Sequence, residues 1–193
     1  QFVLKCTHDS GGIVICKDKS SLDREAAKAK LRASLKRDYS KIAREWAYQN
    51  VPRRIIAEEY ISELGNDDLL DYKMYSFHGE PKLTVVCSDR FSKTGTRMNF
   101  YNIDWEPMGI HFGHYPPLPT EFPKPATYEE MKRLTAELSK DCPFLRVDFY
   151  EIKGRLFIGE LTFFPGAGFE KFRPMSKDYE LGEWLHLETV HRG

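Results

Sequence analysis

Residues 145–163, LRVDFYEIKGRLFIGELTF, decide the fold of this chain. Apolar and polar side chains alternate from Leu145 to Glu151, as they do in a strand with one buried face. Lys153-Gly154 supplies turn residues, and a second apolar run returns from Leu156 to Phe163. The stretch therefore predicts a β-hairpin.

The predicted hairpin places two carboxylates opposite each other. If Lys153 to Arg155 form a three-residue loop, Asp148 lies directly across from Glu160, with Cβ atoms about 5 Å apart on one face. A two-residue loop at Lys153-Gly154 would shift the register and separate the pair. Like charges at this spacing need a cation between them, a bridging lysine or arginine, or a proton on one carboxyl group.

Arg146 and Thr162 share the face of this carboxylate pair, because side chains of a strand alternate with period two. The patch combines a guanidinium, two carboxylates and a hydroxyl. Its hard oxygen ligands suit Mg²⁺, which usually joins one or two carboxylates to substrate phosphates. The alternative, solvated polar residues on the outer face of a hairpin, stays open from these residues alone.

The first third of the chain predicts strands and helices. Residues 2–5 and 13–16 predict two strands joined by a glycine-ended loop, and Arg54 to Ile61 predicts a third. Ser20 and Ser21 before Asp23 and Glu25 signal the start of a helix that runs to about Lys36. Its predicted apolar face consists of Leu22, Ala26, Ala29 and Ala33. A second helix is predicted over Tyr39 to Tyr48.

The rest of the chain predicts an antiparallel sheet with two helices. Strands are expected at residues 72–77 and 82–88 in addition to the hairpin, and together with the strand from Arg54 to Ile61 they imply one antiparallel sheet. Thr127 and Glu130 form a capping box for a helix. The predicted apolar stripe of that helix is Met131, Leu134 and Leu138. A short final helix is predicted around Tyr179 to Leu187.

Composition indicates an ordinary folded domain. The chain has 193 residues, with 29 Lys and Arg against 29 Asp and Glu and 41% hydrophobic residues, so disorder and collagen are excluded. A net charge of zero gives no overall field for a polyanion, and nucleic acid is not an expected partner. The four cysteines lack CxxC spacing and predict free buried thiols. Without a membrane-length apolar run or a signal-peptide pattern, we expect a cytoplasmic protein with no transmembrane segment.

Lys5 and the glycine-ended loop point to phosphate binding. A Gly-Gly tip after Ser10 can bring backbone N–H groups up to a phosphate, and the Lys5 ammonium can reach it. Alone, such a loop is more often only a turn. Together with the strand ending at Glu58 to Ile61, the basic residues Lys73 and Arg90 and the carboxylate hairpin, it fits a nucleotide bound between two lobes.

Seven segments carry a resemblance to a known superfamily. They are FVLKCTHDSGG (2–12), REWAYQN (44–50), RIIAEEYI (54–61), DYKMYSFHGEPK (71–82), SDR (88–90), NFYNIDW (99–105) and RVDFYEIKGRLFIGELTFFPGAGFEKF (146–172). In these segments the chain resembles the ATP-grasp superfamily, and within it the teichuronopeptide-biosynthesis (TupA-like) type found in bacterial surface-polysaccharide loci.

The resemblance implies an α+β ATP-grasp fold, in which two α+β subdomains with antiparallel sheets sandwich ATP. Residues 1–61 would form the small subdomain and 62–193 the large one, and the superfamily's N-terminal subdomain would be absent. The implied bacterial, cytoplasmic reaction is ATP- and Mg²⁺-dependent: a carboxylate becomes an acyl-phosphate, which an amine attacks to form an amide. The implied substrates are small molecules or saccharides, and the implied product is an amino acid attached to a surface polysaccharide or peptide-polymer precursor. A homodimer stays an open option.

The resemblance also implies roles for individual residues. The implied nucleotide-binding residues are Lys5, Ser10, Gly11, Gly12, Glu58, Glu59, Tyr60, Ile61 and Lys73. The implied catalytic residues are Lys73, Arg90 and Arg146. The implied metal ligands are Asp148, Glu160 and Thr162. The loop that would border the substrate carboxylate contains Gly166 and Gly168.

Thr162 departs from the family pattern, because many ATP-grasp proteins place Asn two residues after the second metal carboxylate. This departure, with the missing N-terminal subdomain, favours a first alternative: a nucleotide-binding module without catalysis. A second alternative is a glycosyltransferase-type protein of capsule biosynthesis that uses the same carboxylates. Asp148 and Glu160 are too far apart in sequence for a DxD motif, which counts against it.

Overall fold

The structure is a computed structural model that describes residues 1–61, 69–88, 95–113 and 121–187. The chain divides into two compact units, Gln1–Ile61 with Phe164–Gly168 and Ser62–Phe163 with Phe169–Gly193. Each unit combines an antiparallel sheet with helices. The predicted α+β class is therefore confirmed.

Three strands form the sheet of the first unit. They are β1 (Phe2–Cys6), β2 (Val14–Cys16) and β3 (Ile55–Glu59), in the order β2-β1-β3, and both pairings are antiparallel. The predicted hairpin and third strand are confirmed.

Helix α1 (Arg24–Lys36) packs on this sheet, and of the residues in its predicted start signal Asp23, not Ser20 or Ser21, is the N-cap. The Asp23 side chain accepts a 2.9 Å hydrogen bond from a backbone N–H of the first turn and is the N-cap. Ser20 and Ser21 instead donate to Asp18 at 2.6 and 3.1 Å and belong to the preceding turn. A carboxylate is also stabilised by the positive end of the helix dipole, which explains why Asp23 rather than Ser20 or Ser21 is the N-cap.

The predicted apolar face of α1 is also wrong. Leu22 precedes the helix, and Ala26, Ala29 and Ala33 are exposed. The buried residues of the helix are Ala27, Leu31 and Ser34. Leu31 offers far more apolar surface than an alanine, so its burial sets the rotation of the helix.

The predicted helix over Tyr39 to Tyr48 is broken. The structure has α2 over Tyr39–Ile42 and a separate 3₁₀ turn over Trp46–Tyr48. Arg44 between them adopts φ +59°. A left-handed backbone cannot continue a right-handed α-helix, which is why the two pieces separate.

Five antiparallel strands form the main sheet of the second unit, in the order β6-β5-β4-β8-β9. They are β4 (Asp71–Phe77), β5 (Glu80–Ser88), β6 (Arg97–Asn102), β8 (Phe144–Ile152) and β9 (Arg155–Thr162). Two short strands, β7 (His111–Phe112) and β10 (Phe172–Arg173), pair separately. The pairing of the two predicted strands 72–77 and 82–88 and the Leu145 to Phe163 hairpin are confirmed. The strand from Arg54 to Ile61 was predicted in the same sheet, which is wrong, because β3 pairs with β1 instead.

Both faces of the main sheet are covered. On one face, Met74 and Val147 pack into a cluster with Met131 of α3 (Tyr128–Ser139). On the other, Val85 packs into a cluster with Leu181 of α4 (Met175–Gly182). Side chains of the central strands are therefore buried whichever way they point, including polar ones.

The predicted capping box of α3 is wrong. The Thr127 N–H and hydroxyl both donate to Glu151 Oε2 on β8, at 2.8 and 2.5 Å, while Glu130 is exposed. A carboxylate from a neighbouring strand thus replaces the local glutamate. The predicted stripe is correct at Met131 and half-buried Leu134, but Leu138 is exposed and the buried face continues through Thr135 and Ser139.

Helix α4 begins and ends earlier than the predicted span from Tyr179 to Leu187. Pro174 stands at its N-cap, and its carbonyl accepts a 2.9 Å hydrogen bond from the Lys177 N–H. Proline lacks an N–H and is tolerated where a helix starts, so it marks this boundary well.

The turn of the β8–β9 hairpin has two residues, Lys153 and Gly154, with φ of +51° and +72°. Of the two loop lengths that the sequence left open, the structure therefore has the shorter one. A two-residue loop shifts the strand register by one residue. This shift is cancelled between Asp148 and Phe149, where the register changes again. Gly159 is the extra residue of this β-bulge.

Candidate functional site

A row of charged side chains crosses one face of the main sheet. The strand register pairs Lys73 with Asp148 and Asp148 with Glu160. Arg146 pairs with Thr162 two residues along. Directly paired residues of neighbouring strands point to the same face. The structure thus brings together five of the residues that the sequence singled out.

Asp148 lies at the centre of these contacts. Arg146 Nε donates to Asp148 Oδ1 at 2.6 Å, and Arg146 Nη2 donates to Asp148 Oδ2 at 2.8 Å. Lys73 Nζ donates to Asp148 Oδ2 and, at 2.7 Å, to Asp71 Oδ2. Arg146 Nη2 also lies 3.6 Å from Glu160 Oε2. The two facing carboxylates, Asp148 and Glu160, are therefore bridged by a basic side chain, Arg146, which is one of the three arrangements that their like charges allow.

The cluster is buried at one end and open at the other. The Asp71 and Asp148 side chains are 2% and 3% exposed, those of Lys73 and Arg146 are 14% exposed, and that of Glu160 is 47% exposed. Buried charges are tolerated only when they are paired and hydrogen-bonded, and both buried carboxylates have a cation in contact. Glu160 is the member that a solvent-borne ligand meets first.

The electrostatics keep both cations charged. Burial lowers the pKa of Lys73, but Asp148 and Asp71 outweigh it and leave that pKa above its ordinary value. Burial likewise lowers the pKa of Arg146, and Asp148 with the other acidic neighbours reverses the direction. Burial raises the pKa of Tyr75, which pairs with Arg146 across the strands, to about 12, so its phenol is neutral. The site presents two fixed positive charges.

Two side-chain oxygens at the open end of the cluster, those of Glu160 and Thr162, could bind Mg²⁺. Thr162 Oγ1 is buried and has no hydrogen-bond partner among the described residues, and Glu160 is a half-exposed carboxylate. Across the described ranges no three His, Cys, Asp or Glu side chains gather as a metal site. Mg²⁺ needs fewer protein ligands when phosphates supply the rest, so these oxygens fit it. Asp148 can join through Oδ1, which accepts one hydrogen bond, or through Oδ2 if Lys73 or Arg146 releases it.

Lys5 and Glu58 come together in the first unit. Lys5 on β1 lies with its Nζ 2.7 Å from Glu58 Oε2 on the neighbouring β3, and the two side chains are 34% and 45% exposed. Glu59 is exposed, whereas Tyr60 and Ile61 are half-buried. A basic and an acidic side chain thus lie side by side on a solvent-accessible part of this sheet.

The glycine-ended loop is anchored to α1. Gly11 has φ +85°, a Cβ added to it would meet nothing within 4 Å, and Ser10 is exposed. Gly12 is buried, and a Cβ there would collide with Ser34, whose hydroxyl donates to Asp9. Gly12 therefore allows close packing on the helix, while Gly11 allows the left-handed turn.

The remaining candidate residues lie apart from the charged row. Gly166 and Gly168 have φ of +54° and +77° in a turn with left-handed backbone, Pro165–Gly168, which groups with the first unit. Arg90 lies outside the described residues, so its role stays a prediction. Asp71 was missed by the sequence reasoning. Its signal was the spacing of two from Lys73, which puts both side chains on one face of a strand.

The family of the chain follows from a comparison with known families. A family model described as TupA-like ATPgrasp matches residues 1–186. The chain belongs to the TupA-like ATP-grasp family. Among solved structures, this TupA-like ATP-grasp chain is similar to the D-alanine–D-alanine ligase of Bacillus anthracis complexed with ATP, at 16% identity and a TM-score of 0.48. The match covers 94% of this chain and 47% of the ligase, so the chain spans about half the length of that protein. A comparison with the curated proteins finds no match.

Two further predictions concern the thiols and the helices of the TupA-like chain. All four cysteines are free, with Cys6, Cys16 and Cys87 buried and Cys142 half-buried, as predicted. In the part of the chain that the structure describes, none of the helices has the length and apolar character that crossing a bilayer requires.

Proposed function

We propose that this chain is an ATP- and Mg²⁺-dependent carboxylate–amine ligase. ATP would transfer its γ-phosphoryl group to a carboxylate, an amine would displace phosphate from the acyl-phosphate, and the products would be an amide, ADP and phosphate. The observation that supports this most is the pair of buried cations, Lys73 and Arg146, fixed by Asp148 in a member of the ATP-grasp family. Positive charges that are already in place stabilise the negative charge of a transferring phosphoryl group without reorganisation.

The cations have distinct parts in this proposal. Arg146 is held through two hydrogen bonds to Asp148, which fixes its guanidinium plane for an acyl-phosphate oxygen. Lys73 is a compact charge with three donors, suited to phosphate. We assign Arg90 the same role of charge stabilisation. Mg²⁺ held by Asp148, Glu160 and Thr162 would neutralise phosphate charge.

The nucleotide-binding residues in this proposal include members of the first unit. Lys5 and the backbone N–H groups of the Ser10, Gly11 and Gly12 loop would bind phosphate oxygens. The segment formed by Glu58, Glu59, Tyr60 and Ile61 would bind adenine. The proximity of Lys5 to Glu58 supports the assignment of both to one ligand.

The acceptor is proposed from the family. The acid or amine would be a small molecule or saccharide, and the product an amino acid joined to a bacterial surface polysaccharide or peptide-polymer precursor. The loop with Gly166 and Gly168 would border the substrate carboxylate. The reaction would take place in the bacterial cytoplasm.

Calorimetric titration with ATP, with and without Mg²⁺, tests the nucleotide site. We expect Mg²⁺-dependent binding that is lost in the Asp148→Asn, Glu160→Gln double variant. The matched control is Glu25→Gln with Asp38→Asn, which removes two carboxylates of the first unit. If the wild-type chain does not bind millimolar ATP, or if the site variant binds as well as the control, the proposal is wrong.

A second assay tests the chemistry. The chain is incubated with MgATP, hydroxylamine and panels of uronic acids and amino acids, and ADP and hydroxamate are measured. Hydroxamate formed in step with ADP indicates an acyl-phosphate. ATP binding without ADP release for any acid would instead support a nucleotide-binding module without catalysis, the alternative that the hydroxyl of Thr162 in place of an amide favours.

A further inference from the structure

Asp71 is a buried carboxylate to which the proposed function gives no role. It lies on β4, two residues before Lys73, and its side chain is 2% exposed. Its Oδ2 lies 2.7 Å from Lys73 Nζ. Lys73 therefore contacts two carboxylates, Asp71 on its own strand and Asp148 on the neighbouring strand.

The contacts around Asp148 create a conflict with metal binding. Both of its oxygens accept hydrogen bonds, Oδ1 from Arg146 and Oδ2 from Arg146 and Lys73. A divalent ion bound to either oxygen repels both cations, and on Oδ2, which already accepts two hydrogen bonds, it displaces one of the donors. A buried cation stripped of its only counter-ion is strongly unfavourable, so the displaced cation needs a second carboxylate within reach.

Each cation has such a second carboxylate. Arg146 lies 3.6 Å from Glu160, which is 47% exposed and is itself a proposed metal ligand. Lys73 lies 2.7 Å from Asp71, which is buried on the same strand, β4, two strands away from Glu160 on β9. The Lys73–Asp71 contact involves neither proposed metal carboxylate, whereas Arg146 would have to share Glu160 with the ion. Lys73 is thus the cation that can leave Asp148 at low cost.

We propose that Asp71 is a positioning residue that retains Lys73 in the cluster when Asp148 releases it to bind Mg²⁺. Asp71 acts through Lys73 and touches neither metal nor nucleotide. The Mg²⁺ step of this role rests on the proposed function. The contact of Lys73 with both Asp71 and Asp148 does not depend on the proposed function, and its contribution to stability can be measured on the chain without ligand.

The first experiment is a double-mutant cycle on unfolding without nucleotide. Asp71→Asn and Asp148→Asn each leave Lys73 with one carboxylate, whereas the double variant leaves it with none. We expect the double variant to lose at least about tenfold more in its unfolding equilibrium constant than the two single effects combined. Additive effects overturn the proposal. If the double variant does not fold, Lys73→Met is added to it: recovered folding supports the shared hold on Lys73, and continued failure overturns it.

The second experiment measures how ATP binding depends on Mg²⁺ concentration by calorimetry. In Asp71→Asn, Asp148 is the one carboxylate among the described residues left in contact with Lys73, so Mg²⁺ must compete with Lys73 for Asp148. We expect the half-saturating Mg²⁺ concentration to rise about tenfold, the equivalent of one charge-assisted hydrogen bond. ATP affinity at saturating Mg²⁺ should change less than about twofold, and Asp71→Glu should restore part of the Mg²⁺ response.

A matched control is Glu80→Gln on β5, where Glu80 and Lys82 form the same pair two residues apart at an exposed site, with 2.5 Å between Oε2 and Nζ. It should leave the Mg²⁺ dependence unchanged. An equal loss of ATP affinity at all Mg²⁺ concentrations in Asp71→Asn would indicate a merely structural role and overturn the proposal. A wild-type chain that binds no ATP would overturn the proposed function instead, and the unfolding cycle would then decide alone whether Asp71 holds Lys73.

Discussion

Asp148 faces Glu160 across the β8–β9 hairpin because Gly159 is inserted between Glu160 and the turn as a bulge. The two-residue turn pairs Ile152 with Arg155, and an unbroken ladder from there would put Gly159 opposite Asp148. Glu160 would then point to the other face of the sheet. The bulge restores the pairing, and with it the charged row from Lys73 to Glu160.

Gly159→Ala should destabilise the hairpin. A Cβ at Gly159 would lie 2.6 Å from Tyr150 Cε2, so the ring must shift. We expect a loss of about 1–3 kcal/mol in the free energy of unfolding, measured by chemical denaturation. Gly182→Ala is the control, because a Cβ there meets nothing within 4 Å, and it should be neutral. Equal stability of the two variants would contradict the close packing of Gly159.

Thr162→Val should separate stability from metal binding. Thr162 Oγ1 is buried without a partner among the described residues, so a methyl group in its place should not lower the free energy of unfolding. Thr84→Val is the matched control, because Thr84 Oγ1 lies 3.1 Å from the Tyr128 hydroxyl, and it should cost about 1 kcal/mol. The Mg²⁺ concentration needed for ATP binding should rise roughly tenfold in Thr162→Val alone. An unchanged Mg²⁺ response would remove Thr162 from the metal site.

Glu151→Ala should weaken the start of α3. Both donors of Thr127 lose their acceptor, and a lost N-terminal cap costs about 1–2 kcal/mol. Glu130→Ala, at the position that the sequence pattern favoured, should cost less than about 0.5 kcal/mol. Thermal unfolding of the two variants decides which glutamate caps the helix, and a larger loss in Glu130→Ala would restore the capping box.

Tyr75→Phe should reduce the alkaline sensitivity of the chain. Burial raises the pKa of Tyr75 from 10.0 to about 12, so between these values the folded chain keeps a proton that the unfolded chain has lost. Its contribution is complete below pH 10 and is lost as the pH rises towards 12. At pH 11 the wild-type chain should have lost about 1.4 kcal/mol more than Tyr75→Phe, relative to pH 8. Denaturant unfolding at both pH values measures this difference, and identical losses would refute it.

Lys5→Ala should affect binding far more than folding. The Lys5–Glu58 ion pair is partly exposed, and such pairs contribute at most about 1 kcal/mol to stability. The proposed phosphate contact predicts loss of ATP binding. Lys28→Ala removes a comparable exposed pair, with 2.7 Å between Lys28 Nζ and Glu25 Oε1, and should leave ATP binding intact. Retained ATP affinity in Lys5→Ala would exclude Lys5 from the nucleotide site.

Local signals predicted the elements better than their boundaries and caps. Alternation identified β8 and β9, and turn residues separated β1 from β2. The cap of α3 could not be predicted, because Glu151 lies on a strand that follows the helix in sequence. The break at Arg44 is equally invisible, because arginine has no preference for a positive φ.

The sequence by itself determined the α+β class, the order of most strands and helices, and the identity of Lys5, Lys73, Arg146, Asp148 and Glu160 as candidate residues. These features depend on side-chain periodicity and on residue type, which are local properties. Only the tertiary structure decided that Asp71 joins the cluster, that basic side chains bridge Asp148 to its neighbours, and that Gly159 sets the register. These depend on strand pairing between residues as far apart as Lys73 and Asp148, where register and burial together determine which charges meet.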